Sequence, residues 1–104
     1  MYKRLVDYLF DTTNETTLRN ISVAVNNTKV TDYRESEFID LLIGFIQNSE
    51  HKVALQVYSI YTLMQFAENY PELIEELKAI IEHHSEGKTV AYKVAQRKFF
   101  KKFT

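Results

Sequence analysis

Apolar residues recur along this chain in clusters three and four positions apart, the spacing that gathers side chains on one face of a helix. The first cluster is Leu5, Val6, Leu9 and Phe10; the second is Phe38, Leu41, Leu42, Phe45 and Ile46; the third is Leu73, Ile74, Leu77, Ile80 and Ile81. Segments near 15–27, 50–69 and 87–103 alternate with them, which makes about six helices. The segment 50–69 differs from its neighbours because Val53, Ala54, Leu55, Val57, Tyr58, Ile60, Tyr61, Leu63, Met64 and Phe66 cover most of its circumference. A helix apolar nearly all round is one enclosed by others.

Polar punctuation divides the pattern. Asn14-Glu15, Ser49-Glu50 and Ser85-Glu86 each read as an N-cap followed by an acid in the first helical turn, where the carboxylate meets the positive end of the helix dipole. The glutamates stand 35 and 36 residues apart, the length of one helix-turn-helix unit. Ser49 to Ala54 also matches Ser85 to Ala91 with one inserted residue. Asp32 and Glu35 predict a capping box for a helix near 33–48. Pro71 suits the first turn of a helix near 71–84, and Gly87 separates that helix from the last. Residues 1–104 therefore read as one all-α domain, a short right-handed superhelix of stacked helical hairpins.

Composition narrows the possibilities. Two glycines and one proline are too few for a sandwich, a barrel or a phosphate-cradling loop. The absence of cysteine excludes disulfides, thiolate catalysis and cysteine-ligated zinc. Asp7 and Asp11 interrupt any apolar leader, so a cytoplasmic location without membrane association is expected. Three glycosylation-type triplets, at Asn14, Asn20 and Asn26, then read as chance occurrences on a polar surface.

The stretch Lys52-Val53-Ala54 through Tyr58-Ser59-Ile60, followed by Tyr70-Pro71-Glu72-Leu73 and by Val90-Ala91-Tyr92-Lys93-Val94-Ala95-Gln96-Arg97, resembles HEAT/ARM-like helical repeats. More narrowly, residues 50–103 resemble short helical proteins of Bacteroidetes-type bacteria that are sometimes labelled adenylosuccinate lyase. The resemblance implies packing and not chemistry. No stretch here reproduces the serine-bearing loop signature of true lyases, so that activity is not expected. Relatives of this kind are longer, which implies that the first helix takes a partner from outside these residues.

Candidate chemistry is confined to the last segment. Residues 85–104 hold six bases against Glu86 alone, a charge of +5, while residues 1–84 hold seven bases against thirteen acids, a charge of −6. On a helix Lys93, Arg97 and Lys101 share a stripe, Lys98 and Lys102 lie beside it, and Tyr92, Ala95, Phe99 and Phe103 face the core. These five bases read first as a solvated or structural face, paired in part with the acidic helix near 72–82; contact with nucleic acid or an acidic partner is the alternative. His83 and His84 are adjacent and not four apart, and Glu75 and Glu76 likewise, so neither a metal site nor paired-carboxylate catalysis is predicted. Tyr58, Tyr61 and Tyr92 read first as packing residues, with contact to a partner as the alternative. Val90, Val94 and Phe100 lie away from the core stripe and, with the first helix, suggest an uncovered terminal face buried in a homodimer or by a longer chain. The expected function is a non-catalytic, cofactor-free protein-interaction or scaffold module; a nucleic-acid-binding protein using the basic final helix is the alternative.

Overall fold

Six α-helices and one 3₁₀ turn make up the computed structural model, which describes residues 1–104 and contains no strand. In chain order they are α1 (Tyr2–Asp11), α2 (Glu15–Asn26), α3 (Glu35–Gln47), α4 (Val53–Asn69), α5 (Ile74–His83, entered through the 3₁₀ turn Pro71–Leu73) and α6 (Val90–Lys102). Consecutive helices pair as α1–α2, α3–α4 and α5–α6, and α4 lies against α2, α3 and α6. Two layers result, α1, α3 and α5 over α2, α4 and α6. This is the all-helical, solenoid-like stack that the apolar period predicts.

The enclosed helix is α4, as its composition requires. Leu55, Val57, Ile60, Leu63, Phe66 and Ala67 are buried, and Phe66 stands edge-on to Phe38 of α3, which stands edge-on to Tyr2 of α1 at ring separations of 5.9 and 6.3 Å. That aromatic line joins three helices in the geometry the ring quadrupole favours. It also changes the expectation for the chain's beginning. Tyr2, Val6 and Leu9 are buried, Leu5 and Phe10 pack against the same core, and the Arg34 guanidinium lies 3.9 Å from the Phe10 ring centroid. The apolar face of α1 is covered within the chain by α2 and by α3 with its leading turn, so it is not the open end expected from the sequence.

The repeat length is visible as hydrogen bonds between equivalent positions of adjacent hairpins. The Val30 amide donates to Gln65 Oε1 and Gln65 Nε2 donates to the Thr28 carbonyl, across 35 and 37 residues. The Tyr70 hydroxyl donates to Glu35 across 35 residues, and His51 Nδ1 meets Glu15 Oε1 at 2.6 Å across 36. Inside the core, Gln56 is fully buried. Its Nε2 faces the carbonyls of Phe45, Ile46 and Asn48 at the end of α3, and its Oε1 accepts from Lys88 Nζ at 2.8 Å. One side chain thus satisfies orphan carbonyls at a helix end and holds the loop that leads into α6.

Helix starts depart from the predicted caps in three places. Asn14 does cap α2, its Oδ1 accepting from the Thr17 amide at 3.0 Å. Ser49-Glu50 and Ser85-Glu86, in contrast, lie in turns, and α4 and α6 begin later, after Lys52 and Thr89. Both turns close with a backbone bond, His51 N to Asn48 O and Lys88 N to Ser85 O, so the polar pairs serve the turn and not the helix. At α3 the capping box does not form. Arg34 occupies the cap position with a left-handed φ of 50°, and Glu35 gives its carboxylate to Tyr70. Arg34 is held there by Asp7 at 3.0 Å and Glu37 at 3.1 Å. At Gly87, φ of 76° is the conformation glycine adopts without steric cost.

Two outcomes follow. Gln56→Leu leaves the α3 carbonyls and the Lys88 amine without their buried partner, and a loss of at least about 2 kcal/mol is expected in urea denaturation; an unchanged midpoint would contradict this role. The second concerns acid. Burial by itself raises the Glu15 carboxyl, but the His51 hydrogen bond and the Lys52 amide outweigh it and hold the group below the ordinary glutamate range. A carboxylate with a depressed folded pKa stabilises the fold fully above its unfolded value, near 4.5, and loses that contribution as pH falls through the folded one. Glu15→Gln is therefore expected to be less stable than the native chain at neutral pH, the gap closing on acidification, as denaturation series at stepped pH will read.

Candidate interaction surface on the last helix

The sidedness of α6 comes from three fully buried residues, Tyr92, Ala95 and Phe99, with Phe103 partly buried beside them. The Tyr92 hydroxyl donates to the Ile81 carbonyl at 2.8 Å, and burial pushes its pKa up to about 12. The predicted core stripe is therefore the observed one. With about 100° between successive residues, the opposite side of the helix carries Val90, Lys93, Val94, Arg97 and Lys101.

Packing sorts the basic residues into two groups. Lys102 Nζ pairs with Glu68 Oε1 at 2.6 Å and Lys98 Nζ sits 5.6 Å from the Tyr61 ring centroid, so both bind α6 to α4. Lys88 is taken by Gln56, and Lys78 of α5 donates to the Phe103 carbonyl at 2.8 Å, satisfying the C-terminal end of α6. Lys93, Arg97 and Lys101 are exposed and none of their side chains enters an ion pair or hydrogen bond. The acidic helix does not neutralise them: the acid that pairs with α6 is Glu68 of α4, and Glu75 meets Lys78 of its own helix at 3.8 Å. Three of the five predicted contact residues thus form a free cationic row, and two are structural.

A shallow groove of about 430 Å³ runs along one flank of this row, lined by Ser85, Lys93, Gln96, Arg97 and Phe100. Phe100 is partly buried against the core, with Lys78 Nζ 5.7 Å from its ring centroid, so its edge forms part of the groove. Of the three residues proposed for self-association it is the one drawn inward. Val90 remains 79% exposed and Val94 half-buried, both within the cationic row. Ser85 carries its hydroxyl on the Glu82 carbonyl. At the neighbouring His84, burial and then His83 and Lys88 lower the imidazole pKa.

Elsewhere the tyrosines divide as well: Tyr92 is core, Tyr61 supports Lys98, and Tyr58 stays half-buried. His83 and His84 stack edge to face at 4.9 Å, and no group of three or more His, Asp or Glu side chains is placed to hold a metal ion. The roles of Gln56, Lys78, Lys88 and Glu68 escaped the sequence pattern. A glutamine inside an otherwise apolar helix was the one available signal. No helix is long and apolar enough to cross a membrane.

Sequence comparison adds the evolutionary context. A family model described as a HEAT repeat domain matches residues 1–103. Neither the curated proteins nor the solved structures contain a match to this chain.

The division of the cations has a measurable consequence. Changing Lys93, Arg97 and Lys101 together to Gln should alter stability by no more than about 0.5 kcal/mol. Lys88→Ala, which strips the buried Gln56 oxygen of its donor, should cost about 1–2 kcal/mol. Thermal denaturation of the two variants reads the contrast, and comparable losses in both would mean that the outer row is structural.

Proposed function

Since the chain belongs to the HEAT repeat domain family, whose members commonly mediate protein interaction or scaffolding, we propose that it is a non-catalytic interaction module that engages an acidic protein partner through the outer face of α6. The observation that carries this reading is the row of Lys93, Arg97 and Lys101, exposed and unpaired beside a groove, in a chain whose other α6 cations are all engaged within the fold. Desolvating such a row is favourable only against negative charge. A twofold pairing of α6 with a second copy sets the two cation rows against each other, so Val90 and Val94 contribute apolar contact to a different partner and not to a symmetric dimer.

The narrower resemblance to short proteins that carry a lyase label adds no activity, because the groove offers donors and an aromatic edge but no nucleophile paired with a base. Nucleic acid meets the same cations in the alternative reading, and salt dependence alone does not separate the two.

Capture from lysate of the native cell, with and without nuclease treatment, by the wild-type chain and by the Lys93→Glu, Arg97→Glu, Lys101→Glu variant, tests the proposal. A reproducible protein retained by the first and lost by the second is expected. Retention that disappears with nuclease assigns the face to nucleic acid, and identical recovery by both chains removes α6 from the function.

A further inference from the structure

The row and the groove run side by side along α6, and their spacing restricts what lies across them. Residues four apart on a helix rise about 6 Å, so Lys93, Arg97 and Lys101 repeat along the axis at that interval. Alternate residues of an extended strand repeat at about 6.6 Å. A strand laid lengthwise on α6 therefore keeps every second side chain in step with a cation over all three positions. Its intervening side chains project to the other edge, which is the side of the groove. There the surface changes character: the groove shares Lys93 and Arg97 with the row and adds Ser85, Gln96 and the half-buried Phe100, its one apolar lining residue.

From this juxtaposition we propose that the α6 face binds an extended peptide of alternating acidic and apolar residues, its carboxylates on Lys93, Arg97 and Lys101 and its apolar side chains in the groove against Phe100. The inference rests on the interaction-module reading and specifies its partner. Charge complementarity selects the acidic edge, since the row carries three uncompensated cations and no acid of this chain reaches it. The groove admits the apolar edge through Phe100, its one apolar lining residue, whose ring is already partly stripped of water. Gln96 lines the groove on the far side of Phe100 from the row and supplies both a donor and an acceptor to a peptide backbone.

The test uses a labelled eight-residue peptide alternating glutamate and leucine, a peptide of the same composition with the glutamates and leucines in separate blocks, and a single-stranded oligonucleotide. Fluorescence anisotropy at low and at physiological salt gives the three affinities for the full chain. The alternating peptide is expected to bind at least tenfold more tightly than the block peptide. That preference should vanish in the Lys93→Glu, Arg97→Glu, Lys101→Glu variant and in Gln96→Glu, which places a carboxylate at the groove. Circular dichroism confirms that each variant is folded; if one is not, the comparison of peptide orders on the native chain still decides. Equal binding of the two peptides, tighter binding of the oligonucleotide, or binding of none overturns the alternation. Lysate capture of a protein partner without this preference would leave the interaction-module reading standing while the peptide class falls.

Discussion

Everything in this fold depends on the enclosure of α4. A helix with apolar side chains on most of its circumference is stable in water only when other helices cover it on several sides, and in a chain of this length the covering helices must come from both directions along the sequence. Hence α2 and α3 precede it and α6 follows it against its remaining surface. Apolar burial is non-directional, however, and alone leaves the covering helices free to slide. The polar exceptions on α4 remove that freedom: Gln65 holds the loop between α2 and α3, and Gln56 holds both the end of α3 and the loop before α6. A buried amide leaves its partners unsatisfied if they shift, so register is specified by what misalignment would cost.

The candidate surface inherits its form from that arrangement. Once Tyr92, Ala95 and Phe99 are buried against the rest of the chain, the azimuth of every other residue of α6 is decided. Lys98 and Lys102 fall at the border where Tyr61 and Glu68 of α4 are within reach, and Lys93, Arg97 and Lys101 fall where no acidic side chain of the molecule pairs with them. The three outer cations are thus left without compensation by geometry, while acids of α3 and α5 such as Asp40, Glu76 and Glu82 are exposed on the other layer. A net charge of only −1 conceals this separation, which gives the molecule an oriented field and favours encounter with acidic partners from one side.

How much of this was legible in the sequence follows from the range of each interaction. Helices and their repeat are one-dimensional patterns, and the six elements and the core side of α6 could be read from spacing alone. Caps are less legible because a serine followed by an acid satisfies a turn as well as a helix start; at Ser49 and Ser85 the turn prevails, and α4 and α6 begin four and five residues later. Arg34 shows a different limit: its left-handed backbone is supported by Asp7 of another helix and by stacking on Phe10, contacts that no local window contains. The six bases of the final segment look alike in sequence, and only packing divides them into those that hold α6 and those that face outward.

The position of Val90 and Val94 inside the cation row argues about mode of binding beyond charge. Aliphatic side chains, one exposed and one half-buried, flanked by unpaired cations are a poor surface for a purely electrostatic contact, which keeps its water, and a poor one for a purely apolar contact, which must strip water from the cations. Both costs fall together when one ligand supplies carboxylates and apolar area at matched intervals. Nucleic acid supplies charge at regular intervals, but its apolar surfaces are base faces, which must unstack before they reach Phe100. A second copy of α6 supplies the apolar area but the wrong charge. A chain segment with both kinds of side chain in alternation meets the whole face at once, so the mixed character of α6 is itself the feature that distinguishes its partners.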